Sequence, residues 1–334
     1  MSSELVTQQP LVEAIGLSKA FPRAGGPKLT VRGVNISILP GQTYGLMGLT
    51  GAGKSTVVGI MAGLMSPTSG SIRVKGSEVT PEKLRAQVAL ALGSDKGFYD
   101  NLTMLENLVF VAGLLGVERR AATERSHEVL DLVGLKNSTD KWYSKLSSGQ
   151  RRQAHLARAL LVKRPLLIAD EPTRGLDPAT EDKIVKLLVK IKKGGQTMLV
   201  VTHDPNLASS LCDWVGILSA GEIIREGSPL DLVHILTADR IHIRFAANPG
   251  KFLYRLRHAD ILTELHVHDW DVHAYTHDAQ KDLNFIVRLV AECEIPIEFI
   301  AMPEPGLEEV FLKVIAEQKH LEELAKNPVV EAPK

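Results

Sequence analysis

The sequence lacks any long hydrophobic run. Its longest, residues 108–117, has ten residues, and a membrane-spanning helix needs about 20. It lacks an excess of either charge: Lys+Arg and Asp+Glu are 39 each. No overall field therefore draws the chain to nucleic acid or to anionic lipid. Cysteine is scarce. Cys212 and Cys293, both in apolar surroundings, read as reduced core thiols of a cytosolic protein, with a lone disulfide as the alternative. The opening MSSELVTQQP has no basic segment followed by an apolar run, so no signal peptide is expected. There is no internal repeat and no low-complexity tract. What is present, 44% hydrophobic and 23% charged residues, suits a globular chain and excludes a disordered, collagenous or coiled-coil one. A length of 334 residues points to two domains.

Residues 1–11 read as a flexible tail. From Val12 to about Ile224, β-rich runs alternate with helical patterns, which predicts α/β layering. Strands are expected over 42–47, 165–170 and 197–201. The last two are continuous apolar runs, as in strands buried on both faces. Residues 103–163 read as mostly helical and as a candidate lobe of their own. A boundary is expected at GSPLDL (227–232), dividing a unit over 12–235 from one over 236–317, with a helical or disordered tail over 318–334. In the second unit IHIRF (241–245) alternates as a strand, 251–257 and 279–291 read as helices, 264–276 as two strands around a turn, and 295–300 as a further strand. That order is βαββαβ. After PEPG, Leu307, Val310, Phe311, Val314 and Ile315 fall on one helical face.

GLTGAGKS (48–55) fits G-x-x-x-x-G-K-[ST] between a strand pattern and a helix pattern. Gly48, Gly51 and Gly53 let the backbone curl, and Leu49, Thr50 and Ala52 fill the loop between them. Backbone N–H groups then converge on phosphate oxygens beside the positive end of a helix. Lys54 can reach β- and γ-phosphates, Ser55 offers a hydroxyl to Mg²⁺, and Thr56 a further phosphate contact. LLIADE (166–171) is an apolar strand ending in two carboxylates. Asp170 is placed to hold Mg²⁺ together with Ser55. Glu171, where the strand breaks before Pro172, is placed to orient or deprotonate a water.

In LSSGQRRQAHLARALL (146–161), Ser147 and Gln150 fit a capping box, and Gly149 permits close backbone approach. With GLTGAGKST, LLIADEPTRGLD and VTH in this order, residues 12–235 resemble the ATP-binding cassette (ABC) family. The resemblance implies a P-loop NTPase cassette: a RecA-like core with an antiparallel β subdomain and a helical subdomain, here followed by a small α+β domain. It also implies ATP and Mg²⁺ as ligands. Ser147, Ser148, Gly149 and Gln150 would form the signature loop that binds the γ-phosphate of ATP held by an opposite subunit. His203 would be the switch histidine supporting Glu171, Asp177 the inter-subunit loop aspartate, and Phe21 the aromatic that stacks on adenine.

The chain departs from the family at Ser148, where Gly is usual, and at Leu49-Thr50, where Pro-Asn is common. The larger departure is Ser94, where the family usually has a Gln that reaches metal and water; Asp95 or backbone would have to substitute. PEPGLEEVFLKV (303–314) resembles the ending of cassette subunits in bacterial drug, sodium and polysaccharide-type exporters. His266, His268, His273 and His277, with Asp269 and Asp271, read as a solvated strand face rather than a metal site. The expected function is the ATPase subunit of an ABC transporter, of exporter type, paired as a homodimer or heterodimer on the cytoplasmic face of the membrane. A separate transmembrane permease would dock around residues 94–107. The alternatives are a soluble cassette ATPase acting on ribosomes or nucleic acid, and a P-loop kinase. A single cassette of zero net charge argues against the first, so no nucleic-acid partner is expected, and the signature loop argues against the second.

Overall fold

The computed structural model describes residues 9–23, 26–91, 97–234, 239–302 and 306–326. It divides into two compact units, Met1–Pro229 with Glu317–Lys334, and Leu230–Ala316. Ser94 and Asp95 lie outside the described residues.

The first unit opens with β1 (Val12–Phe21), β2 (Lys28–Ile38), β3 (Thr43–Met47) and α1 (Lys54–Met61). Then come β4 (Ser69–Val74), β5 (Ser77–Glu78), α2 (Pro81–Arg85) and β6 (Val88–Ala91). Three helices follow: α3 (Met104–Leu114), α4 (Arg119–Leu132) and α5 (Ser148–Leu160). The unit continues with β7 (Leu166–Asp170), α6 (Pro178–Lys193), β8 (Thr197–Thr202), α7 (Pro205–Leu211), β9 (Trp214–Ser219) and β10 (Glu222–Gly227).

Its six-stranded sheet has the order β10-β9-β3-β8-β7-β6, parallel except for β10. All of β8 and all of β7 but Asp170 are buried, as their continuous apolar runs require. A second, antiparallel sheet has the order β2-β1-β4-β5. Val31, Val34, Ile36 and Ile38 of β2 join Val57 and Ile60 of α1 and Leu46, Ile168 and Val201 of the parallel sheet in one core. Fully burying each such side chain stabilises by about 1.5–3 kcal/mol. Helix α1, which begins at Lys54, is thereby held by the core rather than by its own short length. Residues 103–163 belong to this same compact unit instead of forming one of their own.

Helix α8 (Pro229–His234) leads to β11 (Asp239–Phe245), α9 (Gly250–Arg257), β12 (Leu262–His268), β13 (Asp271–Thr276), α10 (Ala279–Cys293), β14 (Ile297–Ala301) and α11 (Leu307–Lys326). The sheet order is β12-β13-β11-β14, antiparallel throughout, which is the ferredoxin-like arrangement of βαββαβ. Ile241, Ile243 and Phe245 of β11 bury against Phe252 and Leu256 of α9 and Ile286 and Leu289 of α10. His266 and His268 are exposed, and among the described residues no group of His, Cys, Asp or Glu could hold a metal ion. Both cysteines are free and buried. No described helix is long and apolar enough to cross a membrane.

Candidate functional site

Three parallel neighbours, β3, β8 and β7, end together. Met47 is in register with Thr202, and Asp170 with Val201. Chain leaving the carboxyl ends of adjacent parallel strands forms the usual ligand crevice of an open α/β sheet. The loop after β3 is the glycine-rich one, the turn after β7 carries Glu171, and the residue after β8 is His203.

A cavity of about 450 Å³ opens there, lined by Thr30, Leu49, Thr50, Gly51, Gly53, Lys54, Ser55, Thr56, Asp170, Glu171 and Arg174. Gly51 and Gly53 take φ values of +88° and +108°, which other residues rarely adopt. Gly48 is required for a different reason: a Cβ there would sit 2.5 Å from the carbonyl oxygen of Leu218. Gly53 is the N-cap of α1 and supplies no side-chain cap. The first N–H groups of the helix are therefore left for an anion.

Lys54 is buried, and its Nζ donates to the carbonyl oxygens of Gly48 at 2.6 Å and Leu49 at 3.2 Å. It also lies 3.9 Å from Oε1 of Glu171. Burial pushes its pKa down, while Glu171 and Asp170 pull it back up. Burial, reinforced by the Glu171 charge, pushes the Asp170 carboxyl up, against the pull of Lys54, Arg174 and Arg152.

Glu171 sits at φ +48°, in the left-handed region. Its N–H donates to the Val201 carbonyl at 2.8 Å, which ties the turn to β8. That tie brings its Oε2 within 2.8 Å of His203 Nδ1. Two residues 32 positions apart thus meet because their strands are neighbours in register.

Ser147, Ser148, Gly149, Gln150, Asp177 and Phe21 do not line this cavity. Ser147 caps α5 as expected: its hydroxyl accepts from the Gln150 N–H at 3.3 Å, and Gln150 Oε1 accepts from the Ser147 N–H at 3.2 Å. Gly149 is buried because Thr180 occupies the place its Cβ would take. Asp177 caps α6, accepting from the Thr180 N–H at 3.1 Å, so the starts of α5 and α6 touch. Phe21 is 38% exposed, with the Lys19 ammonium 5.5 Å from its ring centre. Sequence reasoning missed Thr30 and Arg174. Arg174 lies three positions beyond Glu171 in the same turn, a signal that was legible, whereas Thr30 comes from distant β2 and carries none.

The ABC transporter family model matches residues 31–174. The linearmycin resistance ATP-binding protein LnrL of Bacillus subtilis is 30% identical over 91% of this chain and 98% of its own length. This chain belongs to the ABC transporter family. The bacitracin transport ATP-binding protein BcrA of Bacillus licheniformis is 33% identical over 91% of the chain and 97% of its own length. The methionine import ATP-binding protein MetN 2 of Enterococcus faecalis is 31% identical over 66% of each. Among solved structures, the ATP-binding cassette MJ0796 in a dimeric post-hydrolysis state with ADP and Pi is 28% identical. It matches 65% of the chain and 98% of its own, with a TM-score of 0.59. The chain is thus the ATP-binding subunit of an ABC transporter, and it is an ATPase.

Proposed function

We propose that two copies of this cassette clasp ATP at their seam and that hydrolysis drives export through a separate transmembrane permease, at the cytoplasmic face of the membrane. One observation carries the two-copy reading: the capped, exposed Ser147 turn lines no part of its own chain's phosphate cavity. That turn, with Ser148, Gly149 and Gln150, serves the cavity of the second copy, and Asp177 faces the same seam. Phe21 stacks on the adenine. The cassette over 12–235 is the motor, and 236–317 is an accessory domain.

Within one cavity, residues 48–56 hold the phosphates through backbone N–H groups and Lys54 neutralises their charge. Glu171 orients the attacking water and accepts its proton, and His203 holds the carboxylate in place. Ser55 and Asp170 would hold magnesium. A hydroxyl and a carboxylate are hard oxygen donors of the kind it takes, and a carboxylate whose charge is disfavoured by burial gains from a cation. The ion supplies neutralisation of charge developing on the phosphate oxygens.

Export is favoured over import because the relatives named for linearmycin resistance and bacitracin transport match a larger share of the chain than the one named for methionine import. LnrL and BcrA match over 91% of the chain, accessory domain included, whereas MetN 2 matches over 66%. The test is Glu171→Gln. It is expected to keep ATP binding, lose turnover and accumulate an ATP-bound dimer on size exclusion. A variant that stays monomeric at saturating ATP overturns the two-copy site.

A further inference from the structure

We propose that Arg174 is a second phosphate-binding cation of this cavity, aimed at the γ-phosphate; this rests on the reading of Glu171 as the residue that orients the attacking water. Arg174 lines the same cavity as Lys54, Ser55, Asp170 and Glu171. Its charge is near enough to lower both the Asp170 carboxyl and the Lys54 ammonium. Yet its guanidinium makes no hydrogen bond or ion pair among the described residues, although two carboxylates line the same walls.

The backbone that carries it is fixed. The Arg174 N–H donates to the Glu171 carbonyl at 3.3 Å, and the Arg174 carbonyl accepts from Arg152 of α5 at 3.0 Å. Thr173 before it is buried. Arg174 is exposed, and a held backbone with an unengaged guanidinium leaves its N–H donors open to an anion; the planar fork of arginine matches phosphate oxygens in pairs.

Charge arithmetic supports the assignment. Without Arg174 the ionisable lining is Lys54 against Asp170 and Glu171, a net negative wall facing an anionic ligand; Arg174 brings it to balance. The choice of phosphate follows from position. The backbone hydrogen bond from Arg174 to the Glu171 carbonyl puts both residues in one tight turn on the cavity wall, and a water-orienting carboxylate lies beside the terminal phosphate, the one that water attacks.

The experiment compares Mg-ADP with Mg-AMPPNP, which keeps the γ-phosphate, by calorimetry on the full chain and on Arg174→Ala, Arg174→Gln and Arg174→Lys. Arg174→Ala and Arg174→Gln are expected to weaken AMPPNP about tenfold or more, the loss of a charged hydrogen bond. ADP affinity should stay within about twofold, and Arg174→Lys should recover part of the AMPPNP affinity. Unchanged AMPPNP affinity, or equal weakening of both nucleotides, overturns the assignment, since the second result marks a purely structural role. Turnover that survives Glu171→Gln would instead overturn the role of Glu171 and leave this affinity ratio standing.

Discussion

Glu171 and His203 meet at the ends of β7 and β8, with Oε2 and Nδ1 2.8 Å apart and the glutamate backbone at φ +48°. The imidazole is about half exposed while the carboxylate is mostly buried. On the proposed mechanism the histidine props the Glu171 carboxylate from the solvent side. His203→Ala should lower kcat about a hundredfold, the scale of misplacing a general base, and leave ADP affinity unchanged. Steady-state turnover with calorimetry checks this; an unchanged kcat removes His203 from the positioning of Glu171.

The left-handed backbone of Glu171 costs about 1 kcal/mol for any residue with a Cβ. Glu171→Gly and Glu171→Ala both delete the carboxylate and differ chiefly in that backbone strain. The glycine variant should be the more stable in urea by about 1 kcal/mol, reduced by the extra freedom of glycine in the unfolded chain. Alanine ahead by about 1 kcal/mol, the full unfolded-chain disadvantage of glycine, would show that the turn holds no strain.

Asp170 gives a pH signature. Its pKa is raised in the fold by burial and by Glu171, so the folded chain favours the protonated carboxyl. The stabilising contribution is fully present below the ordinary aspartate pKa and is lost as pH rises through the raised value. At neutral pH, without nucleotide, Asp170→Asn should melt higher than the parent, and the gap should close on acidification. A gap that widens toward acid contradicts the sign.

Burial pushes the Cys212 thiol up to about 12. The thiolate is the reactive form, so in the native chain at pH 8 Cys212 should resist iodoacetamide and should label once urea unfolds the protein. Peptide mass mapping distinguishes the two states; rapid native labelling at Cys212 would show that this part of the core opens.

Much of the site was legible because its signals are local. The glycine loop, the apolar run ending in Asp170 and Glu171, and the Ser147 capping box each fit within a few residues, and each formed where expected. The βαββαβ order of the second unit was legible from the alternation in 241–245 and the turn between 268 and 271. Contacts between distant segments were not. Strand order decides that Val201 lies beside Asp170, and no window of sequence contains both. The need for glycine at position 48 comes from Leu218, where the sequence reads only as a curling loop; at 149 the close approach was legible, but Thr180 as the neighbour was not. Thr30 joins the cavity from β2 with no motif to announce it.

Lys54 is already clasped by the two carbonyls of its own loop. On the proposed reading, an arriving nucleotide therefore meets a lysine already held in place and need not recruit a roaming side chain. Little side-chain disorder would then be lost on engagement, which would leave more of the encounter's energy for the proposed clasping of two copies.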